Sequence, residues 1–425
     1  MSNAHGFSRR GRTGLGLLLG LIAVLVLTLL PGVADAAKGK GKKKGHQVTV
    51  MTRNLYLGAD LTPVLTAPGI DQAVDAGGQI VNQVHATKFP SVRAASLAAE
   101  IKKRKPDIVG LQEAAWWRTA PVNADPGLVT NPTASTTDPL GGDFLTELLA
   151  KLNAGKKKKG KKGSVSAAAK KGKKKPALRY VLAVVKTEFD AELPVNDDPS
   201  GGEPLFGADH NERLTMRDAI LVRKGAGVKF SNPTSGTFNT LLRVELAPPL
   251  NIPVNVTRGW TAIDVKARGR SFHFVNTHLE AFDSSGSNTT NQGTTLGRGD
   301  IRAAQASQLV GPGGAANSTR PVILLGDMNS DDDTVQPNGD RNAYMALTAG
   351  GFSERSTANP LSCCLNDPFL IGGPNSINDF DHQVDHVLTN KGKIRFVKGF
   401  VDGRAPVNGL YPSDHAGVTS VLKIK

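Results

Sequence analysis

The chain has 425 residues, 39% of them hydrophobic, enough for a substantial core in one large domain or two ordinary ones. Its formal net charge of +15 points toward nucleic acid, yet most of that charge sits in two runs, five lysines in 38–44 and eleven in 156–175. Without these runs and residues 1–36 the remainder carries about −3, which excludes a folded part that is basic throughout.

In chain order, Arg9, Arg10 and Arg12 precede an apolar stretch from Leu15 to Leu30, which Pro31-Gly32 breaks ahead of Ala34-Asp35-Ala36. This layout predicts a signal peptide over 1–36 with cleavage between Ala36 and Ala37, and so a secreted or cell-surface protein. The competing expectation is an uncleaved anchor, since the stretch with its flanks approaches the roughly 20 residues that span a bilayer. Residues 37–45 are rich in Lys and Gly and predict disorder, as does the lysine-rich insertion at about 155–176. Both read either as solvating spacers or as tethers for polyanions, including anionic membrane.

From His46 the pattern becomes globular. Gln47 to Thr52 alternates as an opening strand that ends at Arg53-Asn54. Arg93 to Lys105 predicts a helix, stopped by Pro106 before a strand at Ile108 to Leu111. Residues 118–178 read as an insertion zone carrying a short helix near Phe144 to Leu152. Further strands are expected at Tyr180 to Val185, Ala219 to Arg223, Gly259 to Val265, Phe272 to Asn276, Pro321 to Leu325, Gln383 to Leu388 and Gly417 to Lys423, with a helix at Arg298 to Leu309. Many strands with few helices predict an α/β (α+β) four-layer sandwich, two packed mixed sheets flanked by helices, within one catalytic domain over 46–425. No Gly-x-Gly-x-x-Gly follows a strand and opens a helix, which argues against a doubly wound nucleotide-binding fold.

Polar residues punctuate the ends of these apolar runs: Asn54, Glu113 after Leu111-Gln112, His278 after Val275-Asn276-Thr277, Asp327 and Asn329 in Gly326-Asp327-Met328-Asn329, Asp385 in Val384-Asp385-His386, and Asp414-His415 after Pro412-Ser413. Each has an ordinary reading. Asn54 suits a strand-ending turn, Glu113 a helix N-terminus, a lone strand-end histidine is more often structural, and Asp414-His415 could close a loop by itself. Asp327 and Asn329 share a face if the strand continues through them. The acidic run Asp331 to Asp333 offers a Ca²⁺ alternative but lacks the glycine and the twelfth-position glutamate of a calcium loop. The only two cysteines, Cys363 and Cys364, form either a vicinal disulfide or two buried thiols, and no further ligand is spaced along the chain for zinc.

Taken together and in order, these motifs resemble the endonuclease/exonuclease/phosphatase superfamily, over about Val48 to Leu422 outside the insertion zone. The resemblance implies a deoxyribonuclease-I-like fold and a hydrolase in which an activated water attacks phosphorus in line. It makes Glu113 a ligand of Mg²⁺ or Mn²⁺, with Asp414 touching the metal and Asn54 positioning that glutamate or joining the metal site. His278 would donate a proton or hydrogen bond to the phosphoryl group, Asp327 would orient the water, and Asn329 would stabilise phosphoryl oxygens. Asp385 and His415 would form a carboxylate-imidazole pair. Glu188 is a further possible orienting partner of His278, and Arg217 a substrate contact, with Arg213, Arg258 and Arg298 as other basic residues. The expected protein is a monomeric secreted phosphodiesterase or nuclease, with a neutral or alkaline optimum if His415 must be partly neutral. The alternatives are a phosphatase, a sphingomyelinase-like enzyme acting on phospholipid head groups, or a non-enzymatic polyanion-binding surface protein.

Overall fold

In the computed structural model, alternation of apolar residues along the strands creates two β-sheets that pack on each other. The model describes residues 46–122, 132–155, 178–198, 208–246, 252–282, 290–291, 294–295, 299–332, 341–357, 361–373, 379–390 and 392–425. The signal segment, both lysine runs, Asp333 and Arg298 therefore lie outside the described residues. Among the described residues, no helix is long and apolar enough to cross a membrane.

The first sheet runs in the order Ile394–Asp402, Gly417–Ile424, Gln47–Asn54, Ile108–Gln112, His210–Arg223, Trp116–Ala120 and Thr136–Thr137, and Tyr180–Val195 also pairs with His210–Arg223. The second runs Phe352–Glu354, Asp385–Asn390, Val322–Asp327, Arg270–His278, Gly259–Ala267 and Val228–Thr237. Leu242–Leu246 and Ile252–Val256 form a smaller antiparallel pair.

Three apolar clusters define the four layers. Val50, Ile108, Ile220, Phe272, Phe274, Ile323, Leu325 and Leu422 fill the space between the sheets. Met51, Val109 and Leu111 point the other way, onto the helices Ile70–Ala86, Ala94–Arg104 and Phe144–Asn153. Val322 and Leu324 likewise face the helices Asp300–Val310 and Asn342–Ala349 through Ala306, Leu309 and Leu347. The expected sandwich is what the chain forms.

The sheets approach each other closely at Gly110, where a Cβ would lie 2.3 Å from both Asn276 Oδ1 and Leu325 Cδ1. Beside it, Gln112 Nε2 donates to Asn276 Oδ1 at 2.5 Å and Asn276 Nδ2 donates to the Leu111 carbonyl at 3.2 Å. Satisfied polar groups in a dry interior fix the register of one sheet on the other, here directly beneath the strand ends that carry the site.

Two sequence expectations need correction, and one helix lacks a clear signal in the sequence. The zone 118–178 is not wholly an insertion: Trp116–Ala120 and Thr136–Thr137 are sheet strands, and Phe144–Asn153 belongs to a helical layer, N-capped by Asp143. The strands read at Tyr180 and Ala219 extend to Tyr180–Val195 and His210–Arg223, a long antiparallel pair. The helix Ile70–Ala86 is not evident in the sequence because Gly77-Gly78 interrupts its pattern. A Cβ on Gly77 would lie 2.8 Å from Val195 Cγ1 and one on Gly78 only 1.6 Å from the Asn196 carbonyl oxygen, so packing demands the glycines that weaken the helical signal.

Candidate active site

Strand register gathers the polar residues. In the second sheet His278 lies beside Asp327 and Asp327 beside Asp385, so three strand ends form one row. In the first sheet Asn54 pairs with Gln112, one residue before Glu113. Ser413, Asp414 and His415 lead into Gly417–Ile424, which pairs with the strand ending at Asn54. The two rows meet across the sandwich.

Asn54 joins them. Its Nδ2 donates to Glu113 Oε1 at 3.0 Å and to Asp327 Oδ2 at 2.9 Å, while its Oδ1 accepts from Tyr56 N at 2.8 Å. Its oxygen thus accepts from the backbone with one of its two lone pairs, and its nitrogen holds the two carboxylates beside each other. Glu113 has a left-handed backbone, with φ of 52°, and its Oε2 accepts from Leu57 N at 2.7 Å. The strand Trp116–Ala120 follows it, so Glu113 does not open a helix.

Burial raises the Glu113 carboxyl above its ordinary range, and the charge of Asp414 adds to it; burial likewise raises Asp414, partly offset by His415. Two buried carboxylates that oppose each other's ionisation are short of positive charge. They line a cavity of about 330 Å³ together with Tyr56, Asp60, Phe282 and Asn366. On the other side of Asn54, Asp327, Asp385 and His415 present ligand atoms within 4.8 Å of one another. A donor set dominated by carboxylate oxygens suits a hard divalent cation such as Mg²⁺ or Mn²⁺.

Asp327 Oδ2 faces two imidazoles, His278 Nε2 and His415 Nε2, each at 3.5 Å. Burial pushes Asp327 up to about 6, against the attraction of His415 and with the help of Asp385. The two histidines differ. Burial works against charge on His415, but Asp385, Asp327 and Asp414 outweigh it and hold the group well above its ordinary value, with Nδ1 donating to Asp385 Oδ2 at 2.8 Å. These carboxylates favour the imidazolium form of His415. Burial, Arg258 and His415 all depress His278 far below its ordinary value. Arg258 Nη1 lies 3.1 Å from His278 Nδ1, and a guanidinium can only donate, so that nitrogen accepts and the proton sits on Nε2.

That contact overturns the role expected of Glu188. Its carboxylate pairs with Lys186 Nζ at 3.1 Å and is pushed by burial to about 7, while Arg258 takes the place beside His278. A sequence signal existed. Arg268 and Gly269, both with positive φ, make the two-residue turn of a hairpin, and counting back along its register sets Gly259 opposite His278, with Arg258 next to it.

Arg217 is corrected as well. Its Nε donates to the Ala114 carbonyl at 2.9 Å and its Nη2 to Asp143 Oδ1 at 2.5 Å, so it straps the loop after Glu113 and is not free for substrate. Arg213 is likewise held by Asp190. Asn329 does not continue the strand, which ends at Asp327; it turns into the left-handed region at φ 46°, donates from its backbone to Asp327 Oδ1 at 2.9 Å and from Nδ2 to the Leu279 carbonyl at 2.9 Å.

Two neighbours of the site are placed there by the fold alone. Arg93, fully buried, donates to the carbonyls of Tyr56 and Pro412, both at 3.0 Å, and so clamps the Asn54 loop to the Ser413-Asp414-His415 loop. The sulfurs of Cys363 and Cys364 are joined, and Cys363 Sγ lies 3.6 Å from His415 Nε2.

The family model described as Endonuclease/Exonuclease/phosphatase family matches residues 85–415. No curated protein matches the chain in sequence. Among solved structures, an endonuclease/exonuclease/phosphatase from Beutenbergia cavernae is similar at 17% identity, covering 89% of this chain and 72% of that one, with a TM-score of 0.45. A mannosyl-6-phosphatase from Bacteroides thetaiotaomicron is 18% identical over 88% of this chain and 99% of its own, at a TM-score of 0.42. D. rerio TDP2 complexed with a single-strand DNA product is 13% identical over 88% and 98%, at 0.41.

Proposed function

The chain belongs to the endonuclease/exonuclease/phosphatase family and is a phosphoester hydrolase; from that premise we propose that it is a divalent-metal-dependent phosphodiesterase, exported by its N-terminal segment and acting on a polyanion such as nucleic acid. The observation that carries this reading is the bridge made by Asn54, which fixes Glu113 and Asp327 at 3.0 and 2.9 Å from one amide nitrogen. Carboxylates held so firmly beside each other need a positive partner. Glu113 and Asp414 would hold the cation, which would supply charge neutralisation on the phosphoryl oxygens.

The remaining chemistry belongs to the chain. Asp327, a carboxylate at neutral pH, accepts a hydrogen bond from the attacking water and takes its proton. His415, charged and braced by Asp385, donates from Nε2 to a phosphoryl oxygen. His278, neutral and oriented by Arg258, donates from its own Nε2 and does not act as a general acid. Asn329 keeps one amide hydrogen beyond its bond to Leu279 and directs it to the same oxygens. No covalent intermediate is required.

The choice of a polyanion rests on the sixteen lysines of the two runs, which would raise the local concentration of any nucleic acid or anionic surface. The test is parallel hydrolysis of plasmid DNA, RNA, sphingomyelin, a phosphate diester and a phosphate monoester, each with Mg²⁺, Mn²⁺ or EDTA. Metal-dependent cleavage of nucleic acid supports the reading, cleavage of sphingomyelin alone moves the substrate to phospholipid, and cleavage of the monoester alone makes the enzyme a phosphatase.

A further inference from the structure

The cysteine pair sits where the reaction would not need it. Cys363 is buried, Cys364 partly so, and their sulfurs share with His415 Nε2 a cluster in which every ligand atom lies within 4.8 Å of the others. Tetrahedral zinc holds thiolate at about 2.3 Å and imidazole nitrogen at about 2.0 Å, which sets those two donors about 3.6 Å apart. Cys363 Sγ and His415 Nε2 are 3.6 Å apart. The imidazole is also prepared for such a role: Nδ1 donates to Asp385 Oδ2 at 2.8 Å, the carboxylate-histidine arrangement that orients zinc ligands and strengthens them. The chain thus brings together soft donors that sequence spacing alone left apart.

We propose that reduction of the Cys363–Cys364 bond opens a second, thiophilic metal site, Cys363 Sγ, Cys364 Sγ and His415 Nε2, selective for Zn²⁺ and related soft dications. The reductant is a thiol or phosphine. With a trialkylphosphine, phosphorus takes oxygen from water and is oxidised to the phosphine oxide, the S–S bond accepts two electrons, and the two water protons end on the two sulfurs. Binding of the dication then releases three protons to solvent, one from each thiol and one from Nε2 of the His415 imidazolium, and His415 coordinates as a neutral imidazole. His415 Nε2 has a single lone pair or proton to direct. It lies 3.5 Å from Asp327 Oδ2 on one side and 3.6 Å from Cys363 Sγ on the other, so a metal on the sulfur side withdraws it from Asp327. Occupancy of the soft site therefore inhibits hydrolysis, a consequence that rests on the proposed function, whereas the site itself does not.

The experiment uses the full chain, reduced with tris(2-carboxyethyl)phosphine, desalted without oxygen and titrated with Co²⁺. The expected result is a thiolate-to-cobalt charge-transfer absorption that saturates at one equivalent, is displaced by Zn²⁺, and is absent from the unreduced protein. Cobalt in the carboxylate site gives no such band, so the readout separates the two sites without any measurement of activity. Cys363→Ser and Cys364→Ser, made separately, should each abolish saturation at one equivalent, and His415→Gln should weaken binding about 10-fold or more. Absence of the band in reduced protein, or its persistence in both serine variants, overturns the proposal. With the band present, Zn²⁺ at one equivalent should lower hydrolysis in reduced protein but not in Cys363→Ser; equal inhibition of both would overturn the inhibitory role.

Discussion

Replacing Asp385 by asparagine keeps the side chain's shape and removes a charge on which two neighbours depend. Asp385 Oδ2 accepts from His415 Nδ1 at 2.8 Å, and its charge raises both His415 and Asp327. The sign is the same for both groups: without the carboxylate, protonated His415 is less favoured and its pKa falls, and ionised Asp327 is less opposed and its pKa falls too. If the rate needs ionised Asp327 and protonated His415, it rises through about 6 and declines where His415 loses its proton, so both limbs of the pH profile should move down. Loss of the bracing carboxylate should also lower kcat by about 10²–10⁴-fold, equivalent to about 2.7–5.4 kcal/mol of transition-state stabilisation. Stability should change less, by about 1–3 kcal/mol, because Asp385 Oδ1 has no protein partner and the pair's repulsion with Asp327 is relieved. The assay is hydrolysis of a phosphate diester from pH 4 to 10 with saturating Mg²⁺, with a thermal melt to show the variant is folded. A folded variant whose profile stays in place, or moves up, would refute the reasoning.

Three further outcomes test other parts of the structure. Gly110→Ala forces a methyl group to 2.3 Å from Asn276 Oδ1 and Leu325 Cδ1, and should cost about 1–3 kcal/mol in a denaturant melt; an unchanged midpoint would mean the sheets are less tightly opposed there. Asp264 is held at about 2 by hydrogen bonds from Arg320, His273 and Asn232 that outweigh its partial burial. Its folded value is below the ordinary 3.8, so its contribution is complete above that pH and vanishes as pH falls through about 2; Asp264→Asn should flatten this part of the acid dependence in melts at pH 5 and 2.5. Deleting 156–175 should weaken binding to DNA and reduce the slope of log K against log salt, and an unaltered slope would deny the lysine run a tethering role.

The strand ends were legible because each follows an apolar run that two packed layers bury: Val322 to Leu325 before Asp327, and Ile108 to Leu111 before Glu113. That was enough to name the residues the structure brings together. The edge strand Ile394–Asp402 was not legible, since most of its side chains are partly or fully exposed and carry no clear alternation. Charge pairing was the least legible. Whether Glu188 meets His278 or Lys186, and whether Arg217 faces substrate or the Ala114 carbonyl, depends on which strand neighbours which, and local patterns do not encode that. Arg258 was within reach through hairpin register, whereas the approach of Cys363 to His415 joins two loops that only the completed fold brings together.

The central claim, that Glu113 holds the cation a phosphodiesterase needs, is tested most directly by Glu113→Gln. The substitution keeps a hydrogen-bonding side chain of the same length beside Asn54 and Leu57 while removing the charge. Diester hydrolysis by the parent and the variant is measured against Mg²⁺ and Mn²⁺ concentration, with EDTA as the zero. The account predicts activity abolished by EDTA, restored by either cation in the parent, and reduced by about 10²-fold or more in the variant, with a higher metal concentration needed for half-maximal rate. Hydrolysis that persists in excess EDTA, or a variant with the parent's rate and metal dependence, would contradict it.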